Sequence, residues 1–371
     1  MKLRFCIPSL LGVEGLIADE LRFLEAEDVA AENGRVLFSG DETTLARVNL
    51  CSHFAERVQI VVGAFHAASF EELFEGTRRL NWEDYIGRED AFPVKGYSLK
   101  SQLFSVSDCQ SIIKKAVVER LKEKYGLSWF PESGPRHQIQ FSIFNDEATL
   151  LLDTTGDGLH KRGYRLRQNG APIKETLAAA LCATAKLRHY HTLYDPLCGS
   201  GTILIEGALY AHNVAPGLGR HFDAERFDWM PREIWAREKE RAVSLEKTDT
   251  DFVAYGSDID PAAVAVAREN AARTKFADKL HFEVRDVRDF ERRSERGTVI
   301  CNPPYGERLM TPEDAQALYR VMGQVFPRTH GWSYSVITPD EDFETYFGRP
   351  ADKTRKLYNG MIKCRCYMFF K

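Results

Sequence analysis

Apolar residues along this chain fall into two kinds of spacing. Residues 57–65 form a nearly unbroken apolar run between polar flanks, which predicts a strand. Similar runs at 35–38, 91–100, 138–144 and 148–153 predict further strands. The last two flank Asn145-Asp146-Glu147 and read as a hairpin. The opening residues 1–8 also read as a strand. Elsewhere apolar residues recur every three or four positions, which predicts helices over 13–24, 41–49, 70–80 and 109–125. In the last of these, Ile112, Ile113, Ala116, Val117 and Leu121 share one face, behind a cap at Ser107-Asp108. Asp41 is placed to cap the second.

The later half alternates strand and helix more regularly. Strands are predicted at 192–195, 252–258, 280–286, 298–301 and 333–338, and a hairpin at 353–370 brings an antiparallel last strand. Helices are predicted over 171–187, 203–208 and 262–273. Such alternation predicts an α/β fold with a mostly parallel sheet, preceded here by a smaller α+β region. Between 210 and 251 lies an insertion in which Phe222, Phe227, Trp229 and Trp235 stand among many charges. It predicts one or two short helices capping the mouth of a site, either a substrate lid or a structural flap that packs its own tryptophans.

Composition narrows the class without deciding it. A chain of 371 residues, 44% hydrophobic, is long enough for more than one domain. No apolar run is long enough to span a bilayer, and the first residues do not make a signal sequence. The eight cysteines are scattered without a C-x-x-C; Cys364 and Cys366 have strand spacing, a poor zinc arrangement. Reduced thiols, a cytoplasmic location and no metal site are therefore expected. The net charge of −4 does not advertise nucleic acid; its distribution is more informative. From 91 to 137, eight basic residues (Lys95, Lys100, Lys114, Lys115, Arg120, Lys122, Lys124, Arg136) face four acids (Asp108, Glu119, Glu123, Glu132). A basic face on an acidic protein suits phosphate contact. Residues 160–167 add Lys161, Arg162, Arg165 and Arg167, with Tyr164 among them.

The chemistry concentrates at strand ends. After the strand at 192–195 comes Asp195-Pro196-Leu197-Cys198-Gly199-Ser200-Gly201-Thr202, then an apolar helix. Two glycines allow close backbone approach to a ligand, and the helix start offers free N–H groups. The loop differs from the dinucleotide fingerprint and from a P-loop. Asp258, ending the next strand, is suited to ribose hydroxyls, with Ile259 against an adenine face. Asp260-Pro261 reads instead as a helix cap. Asp286, ending the third strand, is suited to accept from an adenine amino group. After the strand at 298–301 stands Asn302-Pro303-Pro304-Tyr305. The Asn302 side-chain oxygen and the Pro303 carbonyl can each accept one N–H of a planar amine. The two prolines stiffen the turn, and the Tyr305 ring offers a stacking face.

The glycine loop resembles the first motif of class I S-adenosylmethionine-dependent methyltransferases. Together with Asn302-Pro303-Pro304-Tyr305 and its extension at 306–309, with 153–165 and with 171–180, it makes the chain resemble a family over nearly its whole length. These are the THUMP-domain RNA guanine-N2 methyltransferases of the RlmL/YpsC type, which act on 23S ribosomal RNA. The resemblance implies a ferredoxin-like lead-in at 1–50, a THUMP RNA-binding domain at 51–157 and a methyltransferase domain at 158–371. It implies S-adenosylmethionine as cofactor, with Lys174 and Glu175 near its methionine end, and ribosomal RNA as partner. The longest members carry a second methyltransferase module, so one activity is implied for this chain. The expected reaction is transfer of a methyl group to the exocyclic N2 of guanine. The alternatives are a tRNA guanine, an adenine amino group, or an RNA-binding assembly factor without catalysis.

Overall fold

The computed structural model describes residues 2–165, 173–305 and 311–370. Its first half is built from strands β1 (Leu3–Pro8), β2 (Glu27–Glu32), β3 (Arg35–Gly40), β4 (Gln59–His66), β5 (Val94–Leu99), β6 (Ile139–Phe144) and β7 (Glu147–Asp153). Helices α1 (Glu14–Phe23), α2 (Glu42–Cys51), α3 (Phe70–Arg78) and α4 (Val106–Tyr125) connect them. The seven strands make one sheet in the order β2-β3-β1-β4-β7-β6-β5. The join between its two parts is the short antiparallel pairing of β1 with β4, Phe5 opposite Ile60.

Local signals act as chemistry requires. Asp41 accepts from the Thr44 amide at 2.9 Å and caps α2. Asn145 and Asp146 both take left-handed backbone, which lets two residues turn the β6–β7 hairpin. Two departures have physical causes. Helix α4 starts at Val106 behind Ser105, so Ser107 and Asp108 lie inside its first turn and not at its cap. Strand β2, Glu-Asp-Val-Ala-Ala-Glu, has no apolar alternation because it is an exposed edge held by β3 alone.

The second half contains β8 (Thr192–Asp195), β9 (Val253–Asp258), β10 (Leu280–Val284), β11 (Gly297–Cys301), β12 (Trp332–Thr338), β13 (Lys353–Asn359) and β14 (Ile362–Phe369). Its helices are α5 (Glu175–Thr184), α6 (Thr202–Ala211), α7 (Arg232–Ser244), α8 (Pro261–Ala271), α9 (Pro312–Val325) and α10 (Phe343–Phe347). The sheet runs β10-β9-β8-β11-β12-β14-β13. Strands β8 to β12 are parallel and β14 is antiparallel to both neighbours. The order reverses beside β8, so a crevice opens at the carboxyl ends of β8 and β11.

Helix α9 has no counterpart in the sequence prediction, although Thr311 caps it and Pro312 opens it. Its buried Ala315, Tyr319 and Met322 follow helical spacing. The 210–251 insertion does not cover a site mouth. Its helix α7 packs on α2, where Arg47 Nε donates to Glu238 at 2.8 Å, and Phe222 stacks on Trp235 with centroids 5.2 Å apart. The insertion braces the two halves: besides α7 on α2, its Phe227 stacks on His137 with centroids 3.9 Å apart and its Trp229 meets Tyr85 edge-on at 6.0 Å. Among the described residues, no helix is long and apolar enough to cross a membrane.

Candidate active site

Four loops leave the carboxyl ends of β8, β9, β10 and β11 and enclose a cavity of about 780 Å³. The glycine loop forms its floor. The Cys198 amide donates to Ser257 O of β9 at 2.9 Å, and the Gly201 amide donates to Cys198 O at 2.8 Å, closing a tight turn. Gly201 takes φ +78°, and any Cβ there would sit 3.0 Å from the Phe282 ring, so the turn needs glycine. Gly199 is also left-handed and opens on space. Its amide donates to Asp258 Oδ2 at 2.9 Å, and the Asp260 amide donates to Oδ1 of the same carboxylate at 3.0 Å. Asp258 thus ties the glycine loop to the end of β9 while lining the cavity.

The β8 end supplies Asp195, which lines the cavity and is 1% exposed. Burial pushes its carboxyl well above the usual carboxylate range, and the nearby Asp258 pushes in the same direction. The only hydrogen bond it receives among the described residues is from the Leu197 amide, at 3.2 Å, and no cation pairs with it. The β11 end supplies Asn302, whose Oδ1 is buried without a hydrogen-bond partner among the described residues. A buried carbonyl oxygen left bare is costly. The wall thus carries two acceptors suited to a cationic or N–H-bearing ligand.

Cys198, Ser200, Thr202 and Pro304 also line this cavity. So does Ile259, 66% exposed, and so does Asp286, which accepts from the Arg288 amide at 2.8 Å and pairs with its guanidinium. Asp260 caps α8 through the Ala262 amide at 2.8 Å and contributes to the wall as well. The far wall comes from Asp314, Leu318 and Val321 of α9, which sequence reasoning missed. The Thr311-Pro312 helix start was the available signal.

Other predicted residues lie elsewhere. Pro196, Gly201, Pro303 and Tyr305 do not line the cavity. The Tyr305 hydroxyl accepts from Asn359 Nδ2 at 2.6 Å, and burial pushes its pKa up. Tyr305 therefore anchors the turn to the β13–β14 hairpin, and its ring does not offer the cavity a stacking face.

Lys174 and Glu175 do not line the cavity either. Lys174 Nζ lies 3.1 Å from Glu56 Oε2, and Glu175 is buried against Arg165, Nε to Oε1 3.3 Å. Arg165 Nη2 donates to Thr202 Oγ1 at 2.6 Å and to Ile173 O at 3.0 Å. Arg162 is buried too, donating to Leu159 O at 2.7 Å and His53 O at 2.6 Å beside Glu206. These two arginines were assigned to RNA; they instead fasten the segment joining the halves, because carbonyls and carboxylates surround them before a phosphate could.

Lys161 pairs with Asp157 on the surface. Lys114 pairs with Glu132 at 2.6 Å, its ammonium 3.5 Å from the Phe92 ring centre, and Lys115 lies near Phe74. Lys95 and Lys100 are exposed. Arg167, residues 171 and 172 and the 306–309 extension lie outside the described residues.

A parallel sheet reversing beside its first strand, a glycine loop, strand-end acids and an Asn-Pro-Pro turn together define a class I methyltransferase fold. The comparisons carry this to a family. Residues 162–368 match the model of the RMKL-like methyltransferase domain, 67–153 the THUMP domain, and 4–59 the RlmL ferredoxin-like domain. The chain belongs to the RMKL-like methyltransferase family, with a THUMP domain ahead of the catalytic sheet. It is 42% identical to YpsC of Bacillus subtilis (strain 168), whose name assigns it to RNA methylation, over 97% of this chain and 94% of that one. It spans about half the length of relatives named ribosomal RNA large subunit methyltransferase K/L, such as that of Syntrophotalea carbinolica (33% identical, covering 99% of this chain and 53% of that one).

Among solved structures, SMU.472 in complex with SAH superposes with a TM-score of 0.94 at 40% identity, covering 100% of this chain and 98% of that one. A Listeria monocytogenes str. 4b F2365 protein, described as a predicted N6-adenine-specific DNA methylase, gives 0.94 at 44% identity, covering 100% and 96%.

Proposed function

We propose that this protein transfers a methyl group from S-adenosylmethionine to the exocyclic N2 of a guanine in 23S ribosomal RNA. The observation that carries the reading is the buried, unpartnered Asn302 Oδ1 on the wall of a cavity that also holds Asp195. When bound, S-adenosylmethionine supplies an electrophilic sulfonium methyl carbon. The glycine loop and Asp195 would hold its methionine end, Asp258 its ribose, and Ile259 with Asp286 its adenine. The unpaired, buried carboxylate fits a cationic amino acid end. The complex of SMU.472 with SAH supports the same cofactor class.

Asn302 Oδ1 accepts one hydrogen of the guanine amine; the Pro303 carbonyl, the second acceptor that the sequence offers, does not line the cavity. Held this way, the amine's lone pair leaves conjugation with the ring and points at the methyl carbon. The N–C bond forms as the S–C bond breaks, and the methylated nitrogen then loses its extra proton. A base within a duplex cannot reach such a cavity, so the target is unpaired or flipped. The THUMP domain and the K/L relatives support ribosomal RNA as the substrate. An adenine amino group would satisfy Asn302 equally, and the description of the Listeria structure keeps that second reading.

The test is incubation of the protein with labelled S-adenosylmethionine and undermodified ribosomal RNA, followed by nucleoside analysis. N2-methylguanosine in 23S RNA is expected. Label in adenine or in tRNA keeps the enzyme class and overturns the substrate. Asn302→Ala should lower transfer by at least about a hundredfold while cofactor binding persists; unchanged turnover would remove Asn302 from its role.

A further inference from the structure

One face of the first sheet lies under helices and the other is bare at the β5–β6 end. Ile139, Phe141 and Ile143 of β6 are buried, in the core shared with Ile113 and Val117 of α4. The alternate residues point the opposite way. There the parallel register sets Tyr97 beside Ser142 and Leu99 beside Phe144. A solvated sheet face normally carries polar side chains. Here Tyr97, Leu99 and Phe144 are 55%, 56% and 49% exposed, and the neighbouring Phe104 is 83% exposed.

The corner is built and held. The Gln102 amide donates to Asp146 Oδ1 at 2.7 Å, the Asp146 amide donates to Ser101 Oγ at 3.1 Å, and Ser101 Oγ donates to Leu99 O at 2.9 Å. These bonds tie the segment carrying Phe104 to the β6–β7 turn. Its charge selects an occupant. Lys95 and Lys100 stand at the two ends of β5, and neither has an acidic partner within ion-pair distance among the described residues. The Lys100 ammonium lies 5.9 Å from the Phe144 ring centre. The acid on this face, Glu147, lies 3.4 Å from His66.

Flat apolar side chains beside unpaired lysines match a strand whose base faces are accessible and whose backbone is anionic. A duplex hides its base faces and presents phosphates alone. We propose that Tyr97, Leu99, Phe104 and Phe144, with Lys95 and Lys100, form a stacking platform for unpaired bases of the RNA substrate. This rests on the RNA reading above and adds a binding surface outside the catalytic cavity.

The test uses the full chain and two probes: a short single-stranded oligoribonucleotide of mixed sequence and an RNA duplex of the same composition, with affinities read by fluorescence anisotropy. The double substitution Tyr97→Ala with Phe144→Ala should weaken single-strand binding by about tenfold or more, consistent with lost stacking, and leave duplex binding unchanged. Phe104→Ala, which removes a ring with little packing, should weaken it less in the same direction. Cofactor affinity, measured on each variant, should match the parent and show that the fold is kept. Unchanged single-strand affinity in the double variant overturns the platform, as does an equal loss on both probes.

Platform variants that lose single-strand binding, in a protein that methylates no guanine, would keep the platform and sink the proposed reaction. Guanine methylation with unaltered binding in the variants would do the reverse.

Discussion

Two buried polar clusters behave oppositely. At the joint between the halves, Glu56 receives Lys174, His160 and Thr176; Arg162 serves two carbonyls and Glu206; Tyr164 donates to Glu206 at 2.8 Å; Arg165 meets Glu175 and Thr202. In the cavity, among the described residues, Asp195 has one backbone amide and no cation, and Asn302 Oδ1 has no partner. Buried groups of opposite charge that lie within ion-pair reach hold a structure together, even where single atoms such as Arg162 Nε, Arg165 Nε and Glu206 Oε2 make no hydrogen bond among the described residues. Buried groups left unsatisfied at the wall of a cavity are held ready for a ligand, and their cost is carried by the surrounding fold.

The contrast can be broken most sharply at Arg162. Arg162→Met removes one partner of a buried pair and strands Glu206, so unfolding in urea should show a loss of about 3–5 kcal/mol. A change below about 1 kcal/mol would place the joint among weak surface interactions.

Asp195→Asn should do the opposite: retain stability and weaken cofactor binding by about tenfold, the scale of a lost charge-assisted hydrogen bond. The ligand-free carboxyl has a raised pKa, so a bound cation favours its ionised form. Affinity in the parent protein should therefore rise with pH as Asp195 ionises, and titration calorimetry in buffers of different ionisation enthalpy should detect a released proton. The asparagine variant should show neither effect.

A smaller effect is expected at Glu56. Burial alone would raise its pKa, but the hydrogen bonds from His160 and Thr176 and the charge of Lys174 bring it down to about 2. A depressed carboxylate pKa stabilises the fold fully above the unfolded value of about 4.3 and loses that contribution as pH falls through the folded value. Glu56→Gln should flatten the melting temperature between about pH 4 and pH 2, relative to the parent. Least of all, Lys161→Ala should change stability by less than about 0.5 kcal/mol, because its pair with Asp157 is solvent-exposed.

What the chain determined by itself was local. The glycine loop, the caps at Asp41 and Asp260, the Asn145-Asp146 turn and the alternation of strands and helices in the second half follow from residue types at fixed offsets. Their physics acts within a few bonds. The acids at 195, 258 and 286 and the amide at 302 were legible because strand ends in such a sheet converge at one edge. Partnership was not legible. Arg162 and Arg165 read as phosphate contacts from composition, and only folding brought His53 O, Glu206, Thr202 and Glu175 to them. Tyr305 read as a stacking ring until the β13–β14 hairpin claimed its hydroxyl through Asn359. The α9 wall and the Tyr97–Phe144 corner likewise depend on register and packing between distant segments. A charge or ring acts on whatever lies within a few ångströms, and over most of this chain that neighbour is remote in sequence.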